Sequence, residues 1–406
     1  MAAAPRQRIS VEEATALIAA AMPRWPARRV TLEQALGAVL REDLLAERDQ
    51  PPFDRVTMDG IAVASGALAG GRRDFELAGT QAAGAAALAI ADAGQCLEVM
   101  TGSVLPAGTD TVIPVERITR SGRRAVIAAD YSPRAGQFVH RRGSDHRQGE
   151  RLLAAGSVIG PPEMAILALG GRAEVSVGAW PRIAVISTGD ELVSPGAPIG
   201  AAQIRSSNDL AIAAALRRRG FPEVSRSLLR DDPEQLVREI GHLHETNEVL
   251  VLSGGVSMGQ FDHVPATLAA LGVEAIFHKV LQRPGLPLWF GRSSDGRLVF
   301  ALPGNPVSSL VCLVRYVLPG LALAMGAGER PARYCRLSAP VDFTADLTCF
   351  LPVMLACDDD GEVTAVPRPT NTSGDFVALG GTDGFVELPR GRDHFPAGYA
   401  ARFHAW

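Results

Sequence analysis

The sequence is almost without lysine: of 40 basic side chains in 406 residues only Lys279 is lysine, and the rest are arginine. A chain that uses arginine nearly everywhere and keeps one compact ammonium invites a chemical reading of that position. Cysteine is sparse too. Cys96, Cys312, Cys335, Cys349 and Cys357 are scattered with no CxxC pair, which excludes the common zinc spacings and reads as reduced, structural thiols. Basic excess is absent: a net charge of −4 leaves no footprint for nucleic acid. No segment reaches the roughly 18 uninterrupted apolar residues of a membrane helix, so no membrane partner is expected. The opening "MAAAPRQRISVEEATALIAA" runs into an amphipathic helix containing Glu12 and Glu13, unlike a cleavable signal, and cytoplasm is the expected location.

What is present is ordinary for a globular chain: 47% hydrophobic and 21% charged residues. The length exceeds one comfortable core, so roughly two to four domains are expected. Residues 10–22 and 31–45 read as helices, the second with Thr31 as N-cap. From about 61 to 145, short β-like runs broken by glycine and proline suggest a β-rich module. From 180 onward strands and helices alternate. "RIAVIS", "EVSRSLL", "EVLVLSGG" and "RLVFALPGNP" are strands; 207–220, 232–244, 264–271 and 307–325 are helices. That alternation predicts a doubly wound parallel sheet covered on both faces. Residues 331–406 read as a small barrel or sandwich.

In open parallel sheets, ligands sit where strand carboxyl ends hand over to helices. "STGDEL" (187–192), "SGGVSMGQFD" (253–262) and "LPGNPVSS" (302–309) have that position. Glycine lets backbone N–H groups approach an anion, and a following helix N-terminus adds its dipole. A single such turn is also what any tight connection needs. Three in one sheet, two of them carrying acids, point to a phosphorylated ligand. Asp262 cannot share that phosphate without a cation between them, which suggests Mg²⁺. Glu191 is either a first-turn helix charge or a metal or acid–base group. Asp232 before Pro233 reads as a helix cap. Lys279 and Arg283 in "HKVLQRPGLPLWF" would complement a polyanion, though either alone fits a surface charge.

Taken in order, "PPFDRVTMDGIAV", "MTGSVLPAGTDTVIPVE", "GSDHRQGE", "STGDELV", "SGGVSMGQFDHV", "RPGLP" and "LPGNPVSS" resemble the molybdopterin molybdenumtransferase family, MoeA and the gephyrin E domain, over nearly the whole chain. The resemblance implies an α/β multidomain chain. A linker subdomain would span 1–47 and 145–178, and a β-rich insertion 48–144. A MogA-like α/β domain would span 179–327, and a β-barrel-like domain 328–406. It implies a homodimer with the cleft between subunits, and a reaction in which molybdate replaces the adenylate of adenylylated molybdopterin, with Mg²⁺ and release of AMP. The molybdopterin adenylyltransferase or acceptor molybdoenzymes would be protein partners. By matching position, Asp59, Thr101, Glu191, Asp262 and Lys279 would be catalytic, with Glu191 and Asp262 on the metal. Asp145 and an aspartate of Asp231–Asp232 match further family acids. Gly254, Gly255, Ser257, Gly259, Arg283, Pro287, Pro303, Gly304, Asn305, Pro306, Ser308 and Ser373 would bind the pterin substrate.

The chain departs from the family pattern in three places. "DNSAMDGYAV" is here "DRVTMDGIAV", "KPGKP" is "RPGLP", and Pro352 in "DLTCFLP" stands where an arginine is usual. Leu286 and Pro352 would thus remove two cations from the molybdate side. At about 1.5–3 kcal/mol each, their loss would weaken a dianion on the order of several hundredfold. Two other readings therefore stand beside the transferase: a paralogue that binds pterin or a protein without inserting metal, and a pterin or nucleotide phosphohydrolase.

Overall fold

The computed structural model describes residues 5–255, 263–329 and 331–406. The chain forms two compact units. The larger holds Met1–Glu42, Ala155–Ala165 and Ala173–Trp406, and the smaller holds Asp43–Ala154 and Ile166–Arg172.

The larger unit is built on a seven-stranded sheet in the order Arg6–Ile9, Val273–Val280, Trp289–Ser293, Leu298–Leu302, Val249–Ser253, Ile183–Thr188, Val224–Leu229. The last four strands run parallel, and every residue of Ile183–Thr188, Val249–Ser253 and Leu298–Leu302 is buried. Strands covered on both faces must be apolar throughout, which explains their unbroken hydrophobic runs. Helices Asn208–Arg218, Pro233–Thr246, Val264–Ala270 and the continuous helix Pro306–Ala324 supply the cover. Leu236, Ile240, Val264 and Leu268 pack with Ile186, Leu252 and Val299 in one cluster. Helix Pro306–Ala324 is long and apolar enough to cross a membrane by length and composition, but 78% of its most apolar window is buried within the protein.

Two features of this sheet were not expected. Trp289–Ser293 runs antiparallel to both neighbours, joined to Leu298–Leu302 by a hairpin around Gly296. Only its first two residues, Trp289 and Phe290, fall within the motif-rich stretch 278–290, and no strand is read there from sequence. Arg6–Ile9 pairs in parallel with Val273–Val280 at the sheet edge, and its exposed residues give no strand pattern.

The expected helix over 31–45 does not form. Strand Ala27–Thr31 pairs with Glu174–Gly178, a single 3₁₀ turn follows at Leu32–Gln34, and Val39 and Leu40 then bridge to Val158 and Val177. Gly37, at φ +80°, breaks the run where it lies against Gly220, whose Cα is 3.1 Å from the place a Cβ would take. Pairing partners distant in sequence outweighed local helix propensity. The other helices form as expected: Ser10 and Glu13 make a reciprocal capping box on Val11–Ala21, and Asp232 accepts from the Gln235 N–H at 2.7 Å ahead of Pro233.

The C-terminal strands Arg333–Leu337, Thr348–Cys357, Val363–Pro367, Gly384–Leu388 and Ala400–Ala405 close into a five-stranded barrel, because Thr348–Cys357 pairs with both Val363–Pro367 and Gly384–Leu388. Leu337, Val353, Ala365, Val386 and Phe395 fill it. Gln282–Arg283 adds in parallel to Thr348–Cys349 at its edge.

The smaller unit carries a six-stranded sheet ordered Thr111–Pro114, Gly60–Val63, Gln95–Val99, Asp74–Gln81, Arg124–Ile127, Ile118–Ser121. Gly60 is required by close approach, since a Cβ there would lie 1.9 Å from the Ile113 carbonyl oxygen.

Candidate functional site

Sheet register sets the site. Ser187 pairs with Ser253, Ser253 with Leu302 and Thr188 with Leu229, so four parallel strands end at one level and their turns line up. Those turns line a cavity of about 930 Å³ together with the 282–287 loop and the 370–374 turn. The glycines at its floor are held by geometry. Gly254 has φ +103°, and a Cβ on it would meet the Thr188 carbonyl oxygen at 2.6 Å. Gly255 has φ +68° and would meet Val264 at 2.7 Å. The tight-turn requirement and the anion-cradle reading are thus both satisfied by the same residues.

Two helices start in the lining. Neither Ser207, ahead of Asn208–Arg218, nor Asn305, ahead of Pro306–Ala324, spends its side chain on a cap bond to its own helix. N–H groups in the first turn of Asn208–Arg218, and that of Ser308 in the second helix, whose Pro306 has no N–H and whose Val307 N–H is taken by Ser373, have no partner among the described residues and lie at the positive end of a helix dipole. Asn305 Nδ2 instead donates to Ser373 Oγ at 2.7 Å, and the Val307 N–H donates to the Ser373 carbonyl at 3.1 Å, tying the 370–374 turn to the helix start. Asn208 Nδ2 donates to Ser253 Oγ at 2.8 Å and to the Gly304 carbonyl at 2.7 Å, which locks two glycine turns together and fixes which end of the amide is nitrogen.

Three buried oxygens in this lining, Ser187 Oγ, Thr188 Oγ1 and Asn208 Oδ1, have no hydrogen-bond partner among the described residues. Each such orphan costs about 1–3 kcal/mol, an expense characteristic of binding sites rather than of core. Ser187, Thr188 and Ser253 lie in turns read from the sequence as ligand loops, but their hydroxyls were not named as site groups, nor was Asn208. The available signal was a hydroxyl ending an otherwise apolar buried strand, as in "IAVIST" and "VLVLS".

The acids divide. Glu191 and Asp231 both line the cavity. Burial raises the Asp231 carboxyl above its ordinary range, and the negative charges of Asp190 and Glu191 raise it further. A carboxylate pushed up by neighbours of the same sign suits a place completed by a cation. Asp232 is the helix cap and is exposed. No group of three or more metal-capable side chains occurs among the described residues. Ser257, Gly259 and Asp262 lie outside the described residues.

Arg283, Leu286 and Pro287 line the cavity, as do Pro303, Gly304, Asn305, Pro306, Ser308 and Ser373. Arg283 has no ion-pair or hydrogen-bond partner for its guanidinium among the described residues, whereas Arg205, also in the lining, donates to the Ser194 and Ala197 carbonyls. Lys279 is not among the lining residues. It is half-buried near the end of its strand, with φ +71°, and its N–H donates to the Leu288 carbonyl at 2.9 Å. Pro352 is buried in the barrel strand opposite Phe385, also outside the lining.

Asp59, Thr101 and Asp145 belong to the smaller unit. Asp59 Oδ1 accepts from the Thr101 N–H at 2.6 Å and from its hydroxyl at 2.7 Å, and these bonds lower the Asp59 carboxyl below its usual range. Asp145 Oδ1 lies 2.8 Å from His140 Nε2, while Arg55 reaches His140 Nδ1 at 3.1 Å. A guanidinium only donates, so Nδ1 accepts and Nε2 carries the proton toward Asp145.

The chain matches three family descriptions in order: MoeA N-terminal region (domain I and II) over residues 9–171, "Probable molybdopterin binding domain" over 184–322, and MoeA C-terminal region (domain IV) over 334–406. It is 39% identical over 399 residues to a molybdopterin molybdenumtransferase of Synechocystis, covering 98% of this chain and 100% of that one. It is 30% identical over 400 residues to one of Staphylococcus aureus, covering 97% and 94%. A solved molybdopterin biosynthesis MoeA protein from Pyrococcus horikoshii superposes with a TM-score of 0.76 at 30% identity, covering 98% of this chain and 99% of that one. A second from the same organism, at 23% identity and TM-score 0.79, covers 98% and 100% and shows the shared fold. With all three regions in order and full-length relatives on both sequence and structure, the chain belongs to the molybdopterin molybdenumtransferase family.

Proposed function

We propose that this protein inserts molybdate into adenylylated molybdopterin and releases AMP, in a Mg²⁺-dependent reaction carried out in the cytoplasm by a homodimer. The observation that carries the reading is the cavity, where two helix N-termini without side-chain caps and Arg283, whose guanidinium has no partner among the described residues, face the same volume as Glu191 and Asp231. Such a site suits a phosphorylated, amide-bearing ligand. The helix N–H groups and Arg283 bind its anionic end, and the strand-end hydroxyls and Asn208 receive its N–H and O–H groups. Glu191 and Asp231, with Asp262, would hold Mg²⁺, which when bound neutralises phosphate charge. Asp59 and Thr101 would handle the adenylate, with Asp145 and Lys279 as further polar groups. Acceptor molybdoenzymes or the adenylyltransferase would meet the protein as it takes up substrate and passes on product.

Leu286 in the lining supports the second reading, a relative that kept the cradle without efficient molybdate capture. One experiment separates the two: AMP release from adenylylated molybdopterin with Mg²⁺, titrated with molybdate. Molybdate-dependent release establishes the transferase. Release independent of molybdate makes the protein a hydrolase, and tight substrate binding without release makes it a paralogue that lost the reaction.

A further inference from the structure

The cavity loop 283–287 rests on a buried polar network that none of the roles above uses. Gln282, immediately before it, is 0% exposed. Its Nε2 donates to the Pro284 carbonyl at 3.1 Å and to Cys312 Sγ at 3.4 Å, and its Oε1 accepts from the Tyr316 hydroxyl. Cys312 Sγ in turn reaches the Gly285 carbonyl at 3.8 Å. Gly285, at φ +100°, lies directly on this network: a Cβ there would sit 2.5 Å from Gln282 Nε2 and 2.6 Å from Cys312 Sγ. Two successive loop carbonyls, those of Pro284 and Gly285, are thus drawn inward toward one amide and one thiol.

The network depends on an irregular turn. Helix Pro306–Ala324 contains a π-turn over Leu313–Val317, a rare conformation frequently found at functional sites. From that turn Tyr316 reaches the loop, while Arg315 bonds Glu387 of the barrel at 3.0 Å and Thr15 of the first helix at 3.1 Å. Burial raises the Tyr316 phenol well above its ordinary pKa and pushes the Cys312 thiol up to about 12, so both remain protonated donors at any working pH.

We infer that Tyr316, Gln282 and Cys312 are positioning residues for the 283–287 loop, and that they set the affinity of the cavity for its anionic substrate by fixing where Arg283 stands. The inference rests on the cavity reading above. An unpaired guanidinium on a short loop loses affinity when the loop wanders, because order at the site must then be supplied on binding.

The test is a double-mutant cycle on KM for adenylylated molybdopterin, using the full-length protein. Tyr316→Phe leaves volume nearly unchanged and removes one donor. It is expected to raise KM about tenfold with kcat within about twofold. Arg283→Ala is expected to raise KM at least as much, and the double variant no further than Arg283→Ala alone, since a misplaced loop matters only through the residue it carries. Full additivity, or an unchanged KM in a folded Tyr316→Phe protein, overturns the inference. An unchanged KM in Arg283→Ala overturns the cavity reading instead. Gln282→Met, which keeps length and removes all three side-chain bonds, serves if Tyr316→Phe does not fold, with the same expected split and the same refuting result.

Discussion

Replacing Glu387 by glutamine tests how the barrel is held to the rest of the larger unit. Glu387 Oε2 accepts from Arg315 Nε at 3.0 Å and from His404 Nε2 at 2.9 Å, and the Arg315 and Glu387 side chains are only 6% and 13% exposed. Burial alone would raise the Glu387 carboxyl. The His404 hydrogen bond and the charge and donor of Arg315 outweigh it and bring the carboxyl to about 2. A fall from the ordinary 4.5 to about 2 corresponds to roughly 3 kcal/mol of stability. Because the folded value is depressed, that contribution is complete above the unfolded value near 4.5 and is lost as pH falls toward 2. His404 acts in the same direction by a different route. Burial lowers its pKa despite Glu387, so the unfolded chain takes up a proton first as pH falls below the ordinary histidine value. The assay is urea unfolding at several pH values from 7 to about 2, followed by tryptophan fluorescence, with Trp406 as a barrel reporter whose ring centroid is 5.2 Å from that of Phe385. At pH 7 Glu387→Gln is expected to lose about 3–5 kcal/mol, since it leaves Arg315 charged and unpaired. The gap should narrow by roughly 3 kcal/mol as pH falls from about 5 toward 2. A gap that does not change with pH refutes the assignment of the acid-labile stability to this pair.

Three further outcomes follow from the site. Mg²⁺ should raise the melting temperature of the wild type measurably and that of Asp231→Asn little or not at all, while Asp231→Asn without Mg²⁺ should be slightly more stable near neutrality because repulsion from Asp190 and Glu191 is removed. Gly254→Ala should lose on the order of 2 kcal/mol or more, read by denaturant midpoint, since it combines a left-handed φ with a Cβ 2.6 Å from a backbone oxygen. Leu286→Lys should lower the molybdate concentration at half-maximal AMP release, by about tenfold for one added charge-assisted contact; an unchanged midpoint would mean that another group already fills that place.

The chain's α/β class, its apolar parallel strands and the three turns at their ends were legible in the sequence, because strands buried on both faces leave no choice of residue and sharp turns demand glycine. The caps at Ser10 and Asp232 were legible for the same local reason. The ordered motifs identified the family and so the ligand chemistry to look for. Which polar side chains share one cavity was decided only by the tertiary structure. Ser187 and Ser253 become neighbours through sheet register, Asn208 joins two turns far from it in sequence, and Ser373 reaches Asn305 from the barrel end of the chain. Residues 31–45 looked helical, but Val39 and Leu40 bridge instead to Val158 and Val177. Lys279, the one lysine, sits outside the cavity lining on a strand whose place is set by neighbours on both sides. Local pattern reports what a segment can be. Contacts between segments far apart in sequence depend on register and packing, which no short window of residues contains.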